Sequence, residues 1–281
     1  MNDPQRGRAA VLGHPIAHSK SPVLHRAAYA ELGLDWDYDA IDLVGDQLGP
    51  FLNGLNESWA GLSLTMPLKI EVVAHLDALT SLASELGVVN TVVFDEGGTV
   101  GHNTDVDGVV AAFRSVGVTN SATVSIVGGG ATARSALAGA AALGATRAEV
   151  VLRRPDAAQP LVRLAEVLEI ELEIVPWADL DSHLDADLVI STVPAAAADD
   201  VAARLRAAGH GLDAPAMSRG VLLDVAYDPW PSPLVKQWRR LGGTAVPGWE
   251  MLLHQAAGQV ELMTGQPAPI QAMRAALLAT L

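Results

Sequence analysis

Short apolar segments alternate with longer helical patterns along this chain, and the alternation limits the folds that it can adopt. The predicted strands, rich in Val, Ile and Leu, lie at 9–13, 37–43, 59–67, 88–94, 122–128, 148–154, 172–177, 186–194 and 220–227. The segments between them are typical of helices, as at 21–33, 131–143 and 159–169. Because strands that alternate with crossover helices form parallel sheets, the sequence predicts an α/β fold.

The length of the chain favours two domains. It has 281 residues, of which 50% are hydrophobic, enough for two cores of ordinary size. The polar segment DEGGTVGHNTD at 95–105 predicts a hairpin turn that leads into a helix at 107–116. We therefore expect a domain junction near residue 105.

Composition excludes several classes of function. Asp and Glu number 32 against 18 Lys and Arg, and the formal charge of −14 opposes binding to nucleic acid or to an anionic membrane. The chain has no cysteine, which excludes disulfides, thiolate metal sites and catalytic thiols. It also has no run of 18 apolar residues. We expect a cytoplasmic protein, monomer or homodimer, that binds a small molecule and no metal.

The segment VSIVGGGATARSALAG at 124–139 predicts a dinucleotide-binding loop. Gly128, Gly130 and Ala133 satisfy G-x-G-x-x-G/A directly after a strand and at the start of a helix. The first glycine permits a tight turn, the second lets the backbone approach a pyrophosphate, and Ala133 permits close helix packing. The N–H groups of the helix N-terminus then bind the phosphate. This context favours a dinucleotide site over a simple turn.

The end of the next strand indicates which dinucleotide is bound. Folds that select NAD place an Asp or Glu there, about 20 residues after the glycines, to bind the ribose 2′-OH. This chain has Arg153 and Arg154 instead. Two guanidinium groups can bind a 2′-phosphate; the alternative is a solvated basic pair. The doublet favours NADP.

Polar residues of the first half cluster where predicted strands end. They are Ser19, Ser21, Ser63, Thr65, Lys69, Asn90, Thr91, Asn103, Thr104 and Asp105. Ligands of open parallel sheets bind at such ends, and this set suits a small polyhydroxylated acid. Each residue also has a simpler interpretation: a helix cap for Ser21, a solvated charge for Lys69, and turn caps for Asn90 and Asp105. Their convergence favours a substrate site.

Several segments resemble motifs of the shikimate dehydrogenases, and the resemblance covers nearly the whole chain. In the first half, the similar segments are GHPIAHSKSP (13–22, the substrate-carboxylate loop), SLTMPLK (63–69, N-V-T-x-P-x-K), VVNT (88–91, the substrate amide) and NTDVDG (103–108, the catalytic aspartate). In the second half, they are VGGGATAR (127–134, the phosphate loop), LRRP (152–155, N-R-T-P), DVAYDPWPSPL (224–234, D-x-x-Y-x-P) and PGWEMLLHQA (247–256, the last segment).

The resemblance implies an NADP-dependent enzyme that reversibly reduces 3-dehydroshikimate to shikimate, in the biosynthesis of chorismate and the aromatic amino acids. It implies two domains with the active site in the cleft between them: a substrate-binding, parallel-rich α/β domain at 1–106, to which C-terminal helices at 249–281 return, and a Rossmann-like NADP-binding domain at 107–248. The implied catalytic residues are Lys69 and Asp105. The implied substrate-binding residues are Ser19, Ser21, Thr65, Asn90, Tyr227 and Gln255. The implied cofactor-binding residues are Gly128, Gly129, Gly130, Ala131, Arg153, Arg154, Thr192, Gly248 and Met251.

The chain departs from the family pattern at a few positions. Ser63 and Leu152 stand where the family usually has Asn, Arg154 stands where it has Thr, and Trp249 and Glu250 replace smaller residues. These departures leave Lys69 and Asp105 in place, so catalysis is still expected.

Two other functions stay open. A quinate/shikimate dehydrogenase would be expected to use NAD and to relax the second serine, which Ser21 and the arginine pair argue against. A non-catalytic NADP-binding sensor would not need both Lys69 and Asp105.

Overall fold

The computed structural model describes residues 7–208 and 220–281, and the chain divides into two compact units. The first unit contains the chain up to Asp105 together with Leu252–Leu281, and the second is Val106–Met251. Residues 1–6 of the domain expected at 1–106, and residues 209–219 of the domain expected at 107–248, lie outside the described residues.

A six-stranded mixed sheet forms the centre of the first unit. The strands and α-helices of this unit up to residue 102 are β1 (Arg8–Gly13), α1 (Ser21–Glu31), β2 (Asp37–Asp42), α2 (Gly45–Asn53), β3 (Trp59–Leu64), α3 (Leu68–Glu71), β4 (Ala78–Leu79), α4 (Ser81–Leu86), β5 (Thr91–Asp95) and β6 (Gly98–His102). The strand order is β2-β1-β3-β5-β6-β4. β1 pairs in parallel with β2 and β3, whereas β5 is antiparallel to β3 and β6.

The segment at 95–105 contains more regular structure than the expected turn, because β6 occupies half of it. The Gly97 N–H donates to Asp95 Oδ1 at 2.7 Å, and Gly98 has a φ of +119°, which closes the hairpin within two residues. Asp95 therefore lies opposite Gly98, and the chain pairs with β5 at once. The helix expected at 107–116 begins two residues earlier, at Asp105.

The second unit has a wholly parallel sheet in the order β12-β11-β10-β7-β8-β9. The remaining elements of the chain are α5 (Asp105–Arg114), β7 (Thr123–Val127), α6 (Ala131–Ala142), β8 (Arg147–Leu152), α7 (Gln159–Val167), β9 (Glu171–Pro176), β10 (Leu188–Ser191), α8 (Ala195–Ala208), β11 (Val221–Asp224), α9 (Pro233–Arg240), β12 (Thr244–Val246), α10 (Gly248–Thr264) and α11 (Ile270–Leu278). The predicted α/β class is confirmed. In the part of the chain described, no helix is both long and apolar enough to cross a membrane.

Helix α10 lies against the sheet of the first unit from Leu252 onward, and glycines make the approach possible. A Cβ at Gly61 in β3 would stand 2.8 Å from Cγ of Met263, and one at Gly258 in α10 would stand 3.1 Å from Cγ2 of Thr104. Real Cβ atoms essentially never come closer than 3.0 Å, so β3 needs a glycine here. The close approach brings polar residues of α10 to the sheet.

A cluster of buried aromatic rings joins α1 to β2. The His25 ring stacks on the Tyr38 ring, with 3.9 Å between centroids, and its Nδ1 lies 3.0 Å from the Ser21 carbonyl oxygen. Burial lowers the pKa of His25 to about 4, although the bond to Ser21 opposes the shift. His25 is therefore neutral in the folded protein at pH 7.

Because the folded pKa of His25 lies below the unfolded value of 6.5, only the unfolded chain takes up a proton between these values. The free energy of unfolding should therefore fall by about 3 kcal/mol as the pH falls from 7 to 4. Above pH 6.5 both states hold His25 neutral, so no stability is lost there. Urea unfolding of the wild type and of His25→Asn across this range measures the difference between their pH slopes. His75→Gln, at an exposed histidine, is the control; equal slopes for wild type and His25→Asn would contradict the assignment.

Candidate active site

Two loops of the first unit are held side by side where β1 and β3 end. The Thr65 N–H donates to the Leu12 carbonyl at 2.9 Å, and the His14 N–H donates to the Met66 carbonyl at 2.8 Å. A Cβ at Gly13 would stand 2.3 Å from Cγ2 of Thr65, so only glycine permits this approach. The serine loop after β1 and the Thr65–Lys69 segment after β3 are therefore neighbours.

Ser19 and Ser21 have different tasks at the start of α1. The Ser21 N–H donates to Ser19 Oγ at 3.3 Å, so Ser19 fixes the turn that enters the helix. Ser21 is the first residue of α1, is buried, and makes no capping bond with its side chain. The interpretation of Ser21 as a helix cap is wrong.

Lys69 and Asp105 form a largely buried ion pair. The Lys69 ammonium lies 2.6 Å from Asp105 Oδ2, and the two side chains are 13% and 3% exposed. Asp105 is the first residue of α5, where the positive end of the helix dipole favours a carboxylate. Its N–H donates to Asn103 Oδ1 at 3.0 Å. The interpretation of Lys69 as a solvated surface charge is therefore wrong.

The Asn90 side chain connects this ion pair to α10. The Thr104 N–H donates to Asn90 Oδ1 at 2.8 Å, which fixes the amide so that its Nδ2 can only donate to acceptors. Nδ2 lies 2.8 Å from Asp105 Oδ1 and 3.2 Å from Gln255 Oε1. Lys69, Asn90, Asp105 and Gln255 thus form one cluster, in which an ammonium and amides surround a fixed carboxylate.

The glycine loop of the second unit has the backbone that a dinucleotide loop needs. Gly128 has a φ of +116°, and a Cβ there would stand 2.5 Å from Thr192 Oγ1, itself held by the Val127 carbonyl at 3.0 Å. Gly130 immediately precedes α6, and apart from its two chain neighbours no atom of the described residues lies within 4 Å of the position of a Cβ there. Ala133 is fully buried, as close helix packing requires. The first N–H groups of α6, beginning at Ala131, follow this open backbone.

Arg153 and Arg154 directly follow β8, which ends at Leu152, two residues before the predicted end. Both side chains are exposed, and the Arg153 guanidinium lies 6.0 Å from the ring centroid of Trp177. Trp177 was not identified from the sequence; its position directly after β9, the next strand of the sheet, was the available signal. Leu152 covers Gly129, where a Cβ would meet its Cδ2 at 2.5 Å.

Three other predicted residues belong to the second unit. Tyr227 is half-buried after β11, and Met251 is buried in the first turn of α10. A Cβ at Gly248 would stand 2.4 Å from the Asp224 carbonyl, so the start of α10 lies tightly against the end of β11. Tyr227 is thus the one predicted substrate-binding residue that is not in the first unit.

Comparisons with known proteins show the family of this chain. The family model described as the shikimate dehydrogenase substrate binding domain matches residues 11–92, and that of the shikimate 5′-dehydrogenase C-terminal domain matches residues 248–278. The shikimate dehydrogenase (NADP(+)) of Nitrosopumilus maritimus is 34% identical over 273 residues, covering 96% of this chain and 97% of its own. The chain belongs to the shikimate dehydrogenase family.

Solved structures of this family have the same fold. Shikimate dehydrogenase of Mycobacterium tuberculosis superposes with a TM-score of 0.84 at 38% identity, covering 98% of this chain and all of its own. Shikimate 5-dehydrogenase of Thermus thermophilus, solved with NADP(H) and shikimate, has a TM-score of 0.80 at 29% identity, with coverages of 98% and 100%. The family resemblance inferred from the motifs is confirmed.

Ser63 is one of the residues at which the chain departs from the shikimate dehydrogenase pattern, and its hydroxyl both accepts and donates a hydrogen bond. Tyr38 Oη donates to Ser63 Oγ at 2.7 Å, and Ser63 Oγ donates to Gln259 Oε1 at 3.0 Å. Sequence reasoning missed both partners. Gln259 follows Gln255 by four residues on α10, the spacing of side chains on one helix face, and that was the available signal. Nothing in the sequence marked Tyr38.

The glycine loop predicts opposite outcomes for two similar substitutions. Gly128→Ala combines a left-handed φ with a Cβ 2.5 Å from Thr192 Oγ1, whereas Gly130→Ala adds a methyl group to open space at a φ of −84°. Backbone strain of this kind costs about 1–3 kcal/mol, so Gly128→Ala should lower Tm by on the order of 5 °C. Gly130→Ala should keep the wild-type Tm. Equal thermal denaturation curves for both variants would contradict this account of the loop.

Proposed function

We propose that this protein is an NADP-dependent oxidoreductase that interconverts 3-dehydroshikimate and shikimate, a step of chorismate and aromatic amino-acid biosynthesis. The relatives that cover nearly the whole chain are named shikimate dehydrogenase (NADP(+)). The observation that carries the proposal is the buried ion pair of Lys69 and Asp105, held beside the amides of Asn90 and Gln255. A protein that only binds NADP has no need of such a pair.

The second unit fits NADP by its backbone and charge. Gly128 and Gly130 leave a backbone without Cβ atoms before α6, whose N-terminal N–H groups suit a pyrophosphate, and Gly129 and Ala131 belong to the same loop. Arg153 and Arg154 supply two guanidinium groups for a 2′-phosphate. Thr192, Gly248 and Met251 complete the proposed cofactor site. When bound, NADPH supplies the hydride for the ketone, or NADP⁺ accepts it from the alcohol.

The first unit supplies most of the proposed substrate contacts. Ser19 and Thr65 lie on the two loops after β1 and β3, Ser21 is the first residue of α1, and hydroxyl groups there suit the substrate carboxylate. Asn90 and Gln255 offer amides to the ring hydroxyls, and Tyr227 of the second unit completes the proposed set. Accordingly, residues 1–106 with 249–281 are the proposed substrate domain, and 107–248 the NADP domain.

Lys69 is the proposed acid. An ammonium has three N–H donors, of which Asp105 accepts one, so two can reach a ketone oxygen and stabilise or protonate it as the C–H bond forms. Asp105, held by Asn90 and by the start of α5, keeps Lys69 in place and accepts from a substrate hydroxyl. In the reverse direction, the neutral amine of Lys69, the form that the forward proton transfer leaves, would accept the proton of the alcohol, with NADP⁺ as the hydride acceptor.

The same proposal includes the location and the oligomeric state of the protein. The protein acts in the cytoplasm, and the absence of cysteine is compatible with a reducing compartment. It is a monomer or a homodimer, which light scattering distinguishes. The comparisons favour shikimate as substrate over a broader quinate/shikimate activity, and a catalytic protein over a sensor.

The cofactor assignment predicts a measurable preference. Purified protein with shikimate should reduce NADP⁺, followed by nicotinamide absorbance, with kcat/KM on the order of 10²-fold above that with NAD⁺, because each charged hydrogen bond contributes about 1.5–3 kcal/mol and the arginines are exposed. Replacing both Arg153 and Arg154 by Ala should remove most of this preference. Arg147→Ala, an exposed arginine at the other end of β8, is the matched control. Equal turnover with NAD⁺ in the wild type would contradict the assignment, and quinate in place of shikimate tests the broader activity.

The proposed acid predicts a loss in kcat. Lys69→Ala should lower kcat by about 10²- to 10⁴-fold and change shikimate binding far less, because Lys69 acts mainly in the transition state. Steady-state kinetics measures both parameters, and Lys236→Ala, an exposed lysine of α9, should leave them unchanged.

Because Lys69→Ala leaves the buried Asp105 charge without its cation, the variant can also lose stability. The double variant Lys69→Ala with Asp105→Asn removes both charges and keeps the test valid if the single variant unfolds. A folded variant without Lys69 that kept wild-type kcat would refute the mechanism.

A further inference from the structure

The two arginines after β8 have different surroundings. Leu152 pairs with Pro176 at the end of β8 and β9, so Arg153 and Trp177 are the next residues after this pair. The Arg153 guanidinium lies over the Trp177 ring, 6.0 Å from its centroid, a distance at which a ring face still attracts a cation. Among the described residues, Arg154 lies over no aromatic ring. Trp177 therefore contacts only one member of the pair.

The Trp177 ring is itself held in place. Its Nε1–H donates to Asp200 Oδ2 of α8 at 3.1 Å, and the side chain packs against the buried core of the second unit. An indole nitrogen can only donate, so the carboxylate fixes the rotation of the ring. A hydrogen bond to an anion also increases the electron density of the indole, which makes its face more attractive to a guanidinium.

The backbone of Trp177 is held by the same helix. Trp177 begins a short 3₁₀ helix, and the Arg204 guanidinium donates to its carbonyl oxygen and, at 2.7 Å, to that of Ala178. Arg204 Nε also lies 3.0 Å from Asp181 Oδ1. Asp200 and Arg204 are four residues apart on α8, the spacing of side chains on one helix face. Helix α8 therefore holds both the ring of Trp177 and its backbone.

A fixed ring changes what Arg153 can contribute to anion binding. An exposed arginine has many rotamers, and ordering it when a ligand binds costs affinity. A ring that attracts the guanidinium in the free protein removes part of this cost. The contact with a ring face uses none of the five N–H donors of the guanidinium, so they stay free for phosphate oxygens.

We propose that Trp177 is a positioning residue that determines cofactor specificity: it holds the Arg153 guanidinium in place for the 2′-phosphate of NADP. The inference rests on the proposed function, since it takes Arg153 as a ligand of that phosphate. Asp200 supports Trp177 by fixing its ring. Arg154 contributes charge to the same phosphate without such a support.

The first test measures binding without catalysis. Adenosine 2′,5′-bisphosphate and 5′-AMP differ only in the 2′-phosphate, and calorimetric titration gives the ratio of their affinities. Trp177→Leu should lower this ratio about 2- to 5-fold, the effect of one exposed cation–π contact, and leave the affinity for 5′-AMP within about 2-fold of wild type. Trp177→Phe keeps a ring and should retain more of the ratio than Trp177→Leu does.

Double variants test whether Trp177 acts through Arg153. When Arg153 is already Ala, Trp177→Leu should cause no further fall in the ratio. When Arg154 is already Ala, Trp177→Leu should still lower the ratio by the full 2- to 5-fold. A general loosening of the second unit would produce the same fall in both backgrounds and would overturn the inference.

Two variants of Asp200 test the support of the ring and keep Trp177 itself intact. Asp200→Ala and Asp200→Asn lose the same negative charge, but only the Asn side chain can still accept from the indole N–H. The affinity ratio should therefore be about 2-fold lower in Asp200→Ala than in Asp200→Asn. This comparison decides the inference if thermal denaturation shows that Trp177→Leu does not fold.

The remaining outcomes separate this inference from the proposed function. An unchanged ratio in folded Trp177→Leu would overturn the inference, as would an equal loss of affinity for both ligands, which would mean that Trp177 binds the adenine instead. A wild-type protein that favours adenosine 2′,5′-bisphosphate in the expected way, but does not turn over shikimate with NADP⁺, would overturn the proposed function and support the role of Trp177.

Discussion

The amide of Asn90 is the group on which the candidate site of the first unit depends. Because the Thr104 N–H must donate to its oxygen, its nitrogen is directed at Asp105 and Gln255. Asn90 is completely buried, and an unsatisfied buried partner costs about 1–3 kcal/mol, so the amide cannot turn over without large loss. Asp105 is thereby held from one side by Asn90 and from the other by Lys69, which leaves the ammonium with two fixed directions for a substrate oxygen.

In the second unit the corresponding constraint is steric. The left-handed turn at Gly128 brings the loop against Thr192, and Leu152 covers Gly129 from the next strand. Side chains on both sides thus hold the loop, while the position of a Cβ at Gly130 is left open. Rigid backbone with one open face suits a phosphate group, because the N–H groups of α6 need no rearrangement to bind it.

The sequence predicted the site residues that lie in short local motifs, but not those that come together only through long-range packing. Lys69, Asn90 and Asp105 follow or precede strands in short motifs, and the ends of neighbouring strands meet at one edge of a sheet, so their convergence could be predicted. Tyr38 and Gln259 could not be found in this way. Gln259 reaches Ser63 across 196 positions of sequence only because α10 lies close to β3, and Tyr38 does so through the order of β2, β1 and β3. The sequence predicted a turn over 95–105 and did not predict β6, because the tight closure of the hairpin depends on one bond to the Asp95 side chain.

The two asparagines that the family pattern leads one to expect are replaced in different ways. At position 63, the serine keeps a polar group, whose hydroxyl donates to the amide oxygen of Gln259 and accepts from the Tyr38 phenol. At position 152, leucine removes the polar group altogether and uses the space to pack on Gly129. Polar recognition beside that loop must then come from the next two residues. Arg153 and Arg154, both exposed and both cationic, follow directly, so the proposed 2′-phosphate site has two positive charges where the amide was lost.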